Sequence, residues 1–275
     1  EVTNVPYIAV KAPYSSFTGF HSEVTRNFNP YFEKDSNDWE KTTKICTIFS
    51  HNLLDGNYNN DWRIFKDNLT WLRETLYFAV NSDQNINWIV KEHPSEYGKK
   101  KAKTSTYEEF IKIVGLNRNN IKFFPKEYNS SILKDTTNFV LTSQGSAGYE
   151  YPCFGIPSMI CGDSFYHGFG ISIEPNNSEQ YFNYLKDLEN LIEKGISKDQ
   201  LKRARILFYI CNDIIRIDHP LIPEFDITRA LDKKFFYNEM VDLINSYDTK
   251  IDRFKINLKH QLINDLRHMI DSEKL

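Results

Sequence analysis

The chain has 275 residues, 40% of them hydrophobic and 26% charged, with a formal net charge of −3. That size can bury the core of one large α/β domain or two small ones, and the composition is that of a soluble globular protein. The charge balance offers nothing global to attract nucleic acid, and no stretch supplies the ~20 apolar residues that a membrane-spanning helix requires.

Residues 1–40 mix Pro, Ser, Asn and aromatic residues without a period, which predicts an irregular lead-in or the remnant of a preceding domain. The opening EVTNVPYIAV has no basic start, apolar run and small-residue cleavage site, so no signal peptide is expected. A first residue of Glu rather than Met fits a fragment or a processed product. From there KICTIFS reads as a buried strand, followed by the polar loop HNLLDGNYNND. WRIFKDNLTWLRETLYFAV then spaces apolar residues at helical intervals. The alternation continues with INWIVKE as a strand, the basic loop around KEHPSEYGKKKAK, and TYEEFIKIVG as a helix closed by Gly115. NIKFFP is the next short strand, SSILKD a helical turn, and NFVLTS a further strand. QGSAGYEYPCFG predicts a helix packed under the sheet, before the short strands IPSMICG and GISIEP.

Strands alternating with helices imply right-handed crossovers and an α/β fold with a doubly wound, mostly parallel, Rossmann-like sheet over residues 41–180. Residues 181–275 predict a helical C-terminal extension: SEQYFNYLKDLENLIEKG, SKDQLKRARILFYICNDIIR and KKFFYNEMVDLINSY. Ser178 and Ser197 are the expected N-caps, and Pro220 and Pro223 break the helical run. Cys46, Cys153, Cys161 and Cys211 are far apart in apolar surroundings, without the paired spacing of a zinc site. They read as reduced, buried thiols of a cytoplasmic protein.

In open α/β sheets ligands gather at the carboxyl ends of the strands. Here the loops after those ends are also the richest in polar, Gly and ionisable residues. In TSQGSAGYEYPCFGIPSMICG, a strand ending at Ser143 leads through Gln144, Gly145 and Ser146 into a helix whose free amides suit an anion. Glu150, expected two turns inside that helix, could accept both hydroxyls of a ribose or hold a neighbouring loop. The plainer alternative is that Gly145, Ala147 and Gly148 only permit close helix-to-sheet packing. In KEHP, His93 stands before a Pro at a strand end, placed to bind phosphate or protonate a leaving oxygen, with Lys91 to neutralise charge. In SHNLLDGNYNND, Asp55 is a candidate nucleophile or general base and His51 can orient a carboxylate or phosphate. An Asx-type turn is the alternative for Asp55 and the preferred reading for Asp61. FFPKE offers an aromatic wall, backbone groups beside Pro125 for a base edge and the charge of Lys126, and GDSFYHGFG brings Tyr166 toward a sugar.

The series KEHP, FFPKE and TSQGSAGYE…FGIPSMICG resembles the C-terminal half of GT-B glycosyltransferases of the capsule polysaccharide class. The likeness is to bacterial Kdo transferases and, more loosely, to bacterial sialyltransferases, over residues 42–180. Similar His-Pro and Ser-Gly-Glu loops occur in teichoic-acid polymerases that use CDP-linked donors. The resemblance implies a nucleotide-sugar donor, a CMP-activated 2-keto sugar acid, and a glycan or glycolipid acceptor. It implies His93 at the phosphate, Ser143 and Ser146 at the helix start, Glu150 near the ribose and the FFPKE backbone beside cytosine. Asp55 matches only loosely the acidic residue near the anomeric carbon. A complete GT-B enzyme has an N-terminal Rossmann-like domain that residues 1–40 cannot form, so a further domain or partner chain is expected to supply it. No cofactor is implied and no metal is expected, since no Asp-x-Asp motif is present and helix amides and basic side chains can neutralise a leaving phosphate. The implied place is the cytoplasm, free or at the inner face of the cytoplasmic membrane. Two alternatives stand beside this reading: a CDP-polyol phosphotransferase, and a non-catalytic scaffold domain of a polysaccharide assembly complex.

Overall fold

A computed structural model describes residues 44–53, 63–93, 96, 104–116, 118–124 and 133–211. The expected lead-in, Asp55, Asp61, Pro125, Lys126 and everything after Cys211 lie outside the described residues. The chain divides into two compact units, Glu1–Phe208 and Tyr209–Leu275, and the sheet belongs to the first.

Five strands form that sheet: β1 (Lys44–Phe49), β2 (Ile86–Lys91), β3 (Ile121–Phe123), β4 (Phe139–Thr142) and β5 (Ser158–Ile160). They lie in the order β3-β2-β1-β4-β5, and every neighbouring pair is parallel. The strands read as unbroken apolar runs because both of their faces are covered. Cys46 and Ile48 of β1 face one core cluster together with Trp71, Leu72 and Leu76. Ile45 and Phe49 face a second cluster with Leu133 and Tyr151. Helices therefore cover both faces, which is the doubly wound Rossmann-like α/β architecture expected from the sequence. Full burial of side chains such as Ile48, Leu72 and Ile89 stabilises this arrangement by about 1.5–3 kcal/mol each.

On the larger-cluster face lie α1 (Asn68–Asn81) and α2 (Thr106–Ile113). Asp67 caps α1 by accepting from Thr70 N at 2.7 Å. The expected helix from Trp62 thus begins six residues late. Arg63 instead bridges to Gly162, and Ile64 N donates to Cys161 O at 3.2 Å, so this stretch is held against the edge of the sheet. α2 opens with a capping box between Ser105 and Glu108 and stops, as expected, before Gly115, whose φ of +80° lies in the left-handed region. Arg73 of α1 grips Glu109 of α2 with two bonds of 2.6 and 2.7 Å, and that guanidinium holds the Glu109 carboxyl below its ordinary range.

Three expected elements differ. The helix predicted over 144–155 is one α-turn, α4 (Ala147–Glu150), running into a 3₁₀ turn over Tyr151–Phe154 that contains Pro152 and ends at Gly155. The strand expected at GISIEP reduces to a single bridge from Ile173 to Met159. The helix expected over 178–195 is two, α5 (Ser178–Lys186) and α6 (Leu188–Lys194), broken at Asp187. Asn177 rather than Ser178 caps α5, accepting from Gln180 N at 2.8 Å. Ser197 does cap α7 (Lys198–Tyr209), accepting from Gln200 N at 3.1 Å. α3 (Leu133–Thr136) is the expected short turn before β4. Tyr181 pins α5 to α1, its hydroxyl receiving Trp71 Nε1 at 3.0 Å and lying 2.8 Å from Thr75 Oγ1. Cys46, Cys153 and Cys161 are buried free thiols, and Cys211 is half-buried. No helix among the described residues is long and apolar enough to cross a membrane.

Candidate functional site

The strand order turns back on itself between β1 and β4, the place where an open parallel sheet leaves a crevice beyond its carboxyl ends. Three ends are level there. Phe49, the last residue of β1, pairs in register with Lys91 on one side and Thr142 on the other. Ser50 and His51, Glu92 and His93, and Ser143 and Gln144 therefore leave the sheet at one height. These are three of the five loops expected to converge; Pro125 and Lys126 of a fourth lie outside the described residues.

Side chains then join the loops. His93 N donates to Ser50 Oγ at 3.1 Å, and Thr106 Oγ1 donates to the same oxygen at 3.0 Å. Glu96 accepts from Leu53 N at 3.2 Å and from Thr106 N at 3.0 Å, which fastens the β1 loop to the start of α2. The rings of His51 and His93 stack at a centroid separation of 5.7 Å and an angle of 25°. Asn68, the first residue of α1, donates from Nδ2 to Asn52 O at 3.2 Å and accepts from Ser143 Oγ at 2.8 Å. His51, His93 and Ser143 thus belong to one polar layer.

Behind that layer the loop after β4 is clamped. Gly145 N donates to Thr142 Oγ1 at 3.1 Å, and Gly145 O receives both the Tyr166 hydroxyl at 2.6 Å and Gly148 N at 3.0 Å. Gly148 O receives Ser158 Oγ at 2.6 Å and Ser172 Oγ at 2.8 Å. This corrects the expected phosphate cradle at a long helix start. α4 has only four residues, and the amides of Gly145 and Gly148 are already engaged. Gln144, Gly145 and Ser146 are half-buried, and Ser146 makes no side-chain cap. The alternative reading of Gly148 as a close-packing residue holds, since a Cβ there would meet the Tyr166 hydroxyl at 2.1 Å.

Two expected contacts move inward for the same reason. Tyr166 is wholly buried and its hydroxyl is committed to Gly145 O, so it props the loop from beneath rather than reaching over a ligand. Burial raises its phenol above the ordinary range. Glu150 falls in the first turn of α4, not two turns in, and is wholly buried. Its carboxylate acts electrostatically on Lys91.

Lys91 itself is half-buried, with Nζ 3.2 Å from Glu92 O and 6.0 Å from the centre of the Phe49 ring. Burial pushes its ammonium down to about 8, against the opposing pull of Glu92 and Glu150. The cation is therefore present below about pH 8 and fades above it, well before an ordinary lysine would. An anion bound beside it gains from the charge only on the acid side. Affinity for a phosphate-bearing ligand is expected to fall as pH rises through about 8, and Lys91→Met is expected to flatten that dependence. Calorimetry at pH values on either side checks it, and an equal slope in the variant removes Lys91 from the site.

Sequence reasoning missed Asn68, Thr106 and Glu96. Asn68 carried a faint signal, because Asn is a poor helix former and here follows an Asp cap directly after the first loop. Thr106 and Glu96 carried none, since their partners are distant in sequence.

No family model matches the chain, and no curated protein matches it. Solved structures do. The KpsC protein of Thermosulfurimonas dismutans, a beta Kdo 2,4 transferase, is 16% identical with a TM-score of 0.37, over 61% of this chain and 45% of that one. The MnaA protein of S. aureus, in a co-structure with UDP, is 15% identical with a TM-score of 0.41, over 69% of this chain and 47% of that one. The UDP-GlcNAc 2-epimerase of Neisseria meningitidis, bound to UDP-GlcNAc, is 12% identical with a TM-score of 0.40, over 62% of this chain and 44% of that one. The chain spans less than half the length of each.

Proposed function

We propose that this chain is the nucleotide-sugar-binding half of a GT-B glycosyltransferase, which transfers Kdo or a related nonulosonate from its CMP conjugate onto bacterial surface polysaccharide. The observation that carries the reading is the level meeting of His51, His93 and Ser143 beside the strand-order reversal, where the two imidazoles stack on each other. The motif resemblance over residues 42–180 supplies the class of donor.

In this reading His93 and His51 donate to the leaving phosphate and Lys91 balances its charge, so that the bond to the anomeric carbon breaks without a metal. The loop over 143–148 is the rigid wall of the site. Asp55 acts at the anomeric carbon, and Pro125 and Lys126 hold the base. If Asp55 attacks that carbon, a covalent intermediate forms and configuration is retained; if it deprotonates the acceptor hydroxyl, configuration inverts. Residues 41–180 form the donor domain, residues 181–275 are the helical extension, and a further domain or partner chain brings the acceptor. The protein works in the cytoplasm or at the inner face of its membrane.

Calorimetry with CMP, CDP and UDP tests the proposal. Selective CMP binding is the expected result. A preference for CDP turns the reading toward a polyol phosphotransferase, a preference for UDP removes the nonulosonate donor, and no binding at all leaves a scaffold domain.

A further inference from the structure

We infer that Glu96 is a positioning residue of the crevice, whose carboxylate ties the loop of His51, the loop of His93 and the start of α2 together and so sets the two imidazoles against each other. What those rings meet rests on the nucleotide reading; the tie does not. Glu96 N donates to His93 O at 3.0 Å, which joins the two residues within the β2 loop. Glu96 Oε1 receives Leu53 N at 3.2 Å, just beyond His51 in the β1 loop, and Oε2 receives Thr106 N at 3.0 Å, the first amide of α2. On the strand side Ser50 Oγ makes a second tie, receiving His93 N at 3.1 Å and Thr106 Oγ1 at 3.0 Å. His51 thus stands between Ser50 and Leu53, both of them fastened to the β2 loop, and its ring meets that of His93 at 5.7 Å.

The start of α2 is committed to this tie. A helix N-terminus attracts anions because its first amides have no carbonyl partner within the helix. Here Thr106 N goes to Glu96, Tyr107 N to Glu92 Oε1 at 3.2 Å and Glu108 N to Ser105 Oγ at 3.1 Å. The two carboxylates flank His93 in the sequence, so an attraction that could hold a bound anion instead holds the loop of His93. Both oxygens of Glu96 face backbone N–H groups, and a carboxylate can accept at each. Glutamine has nearly the same shape, but one of its two positions is an NH2 that would oppose either Leu53 N or Thr106 N. Glu96→Gln therefore keeps the volume of the side chain and breaks one of its two bonds.

NMR of the imidazoles in the full chain, without ligand, reads the tie directly. In a folded Glu96→Gln chain the ring resonances of both His51 and His93 are expected to shift; a shift confined to one ring, or absent from both, overturns the inference. Should that variant not fold, amide hydrogen exchange in the wild type decides: slow exchange at both Leu53 and Thr106 supports the tie, and exchange at either as fast as in an exposed loop overturns it. In a chain that binds CMP, Glu96→Gln is expected to weaken CMP about tenfold, the equivalent of one hydrogen bond to a charged group. In a background of His51→Ala with His93→Ala the same change is expected to alter affinity less than about twofold, because the groups through which Glu96 acts are gone. An equal loss in both backgrounds makes Glu96 a general support of the domain and overturns its positioning role. A wild type that binds no CMP, with both rings shifted in Glu96→Gln, defeats the proposed function and leaves the role of Glu96 standing.

Discussion

Gly148→Ala is expected to cost about 3 kcal/mol of stability, the upper end of what an added methyl group costs in a packed core. The new Cβ would stand 2.1 Å from the Tyr166 hydroxyl, 3.0 Å from its Cζ and 2.8 Å from Ile160 Cγ2. Neither neighbour can yield cheaply. Tyr166 is wholly buried and bonded to Gly145 O, and Ile160 lies inside β5 with no exposure. The backbone of residue 148 cannot retreat either, because its carbonyl is held by Ser158 and Ser172 and its amide by Gly145 O. Relief must therefore come from breaking the 2.6 Å bond of Tyr166, which leaves a buried hydroxyl without its acceptor. Adding Tyr166→Phe to Gly148→Ala removes the closest atom and is expected to recover part of the loss, not all, since Ile160 still crowds the site. Urea unfolding of the two variants gives the comparison. A loss for Gly148→Ala below about 0.5 kcal/mol, the range of an ordinary surface change, would show that the loop is not clamped as described.

The same clamp shows which parts of the molecule were legible beforehand and which were not. KICTIF, INWIVK and FVLT announce themselves because a strand buried on both faces must be apolar at every position, and that signal is local. Gly115 and Ser197 were legible for a similar reason: each satisfies a helix end through its own backbone or through a residue three positions away. The helix over 144–155 was misjudged because its small residues serve a distant partner. Gly148 makes room for Tyr166, and the hydrogen bonds that shorten the turn come from Thr142, Ser158 and Ser172. Once α4 starts at Ala147, Glu150 turns inward, and a side chain expected to meet a ribose becomes a buried carboxyl group acting electrostatically on Lys91. RIFK misled in the same way, since Arg63 and Ile64 pair through their backbones with Gly162 and Cys161 instead of entering a helix, and Phe65 packs on Tyr181 and Phe182 of α5. Of the crevice, His51, His93 and Ser143 could be placed from strand ends alone, because topology brings carboxyl ends together whatever the side chains do. Asn68 could not, because its importance lies in two partners, one on each side of the strand-order reversal.

His93→Ala is expected to weaken nucleotide binding by about 1–3 kcal/mol, the range for losing a hydrogen bond to a charged group, while lowering stability by less than about 1 kcal/mol. The two effects separate because the loop is fastened by groups other than the ring. His93 N is held by Ser50 Oγ, and Ser50 N in turn donates to Lys91 O at 2.9 Å, so an alanine keeps the backbone where it is. What disappears is a half-buried imidazole that packs against His51, while the backbone carbonyl of residue 93 keeps its bond from Glu96 N at 3.0 Å. Ser50→Ala supplies the opposite profile. Ser50 is 5% exposed and its hydroxyl receives both His93 N and Thr106 Oγ1, so its removal takes that acceptor from both, Thr106 Oγ1 keeping Glu96 Oε1 at 3.3 Å, and is expected to cost about 1–3 kcal/mol of stability. Affinity should then fall only as far as the loop loosens. Calorimetry and thermal unfolding on both variants give a crossed pattern if the ring is a ligand-binding group: binding falls most in one, stability most in the other. If instead His93→Ala loses stability and keeps its affinity, the stacked imidazoles are packing, and the proposed role of His93 at the phosphate falls.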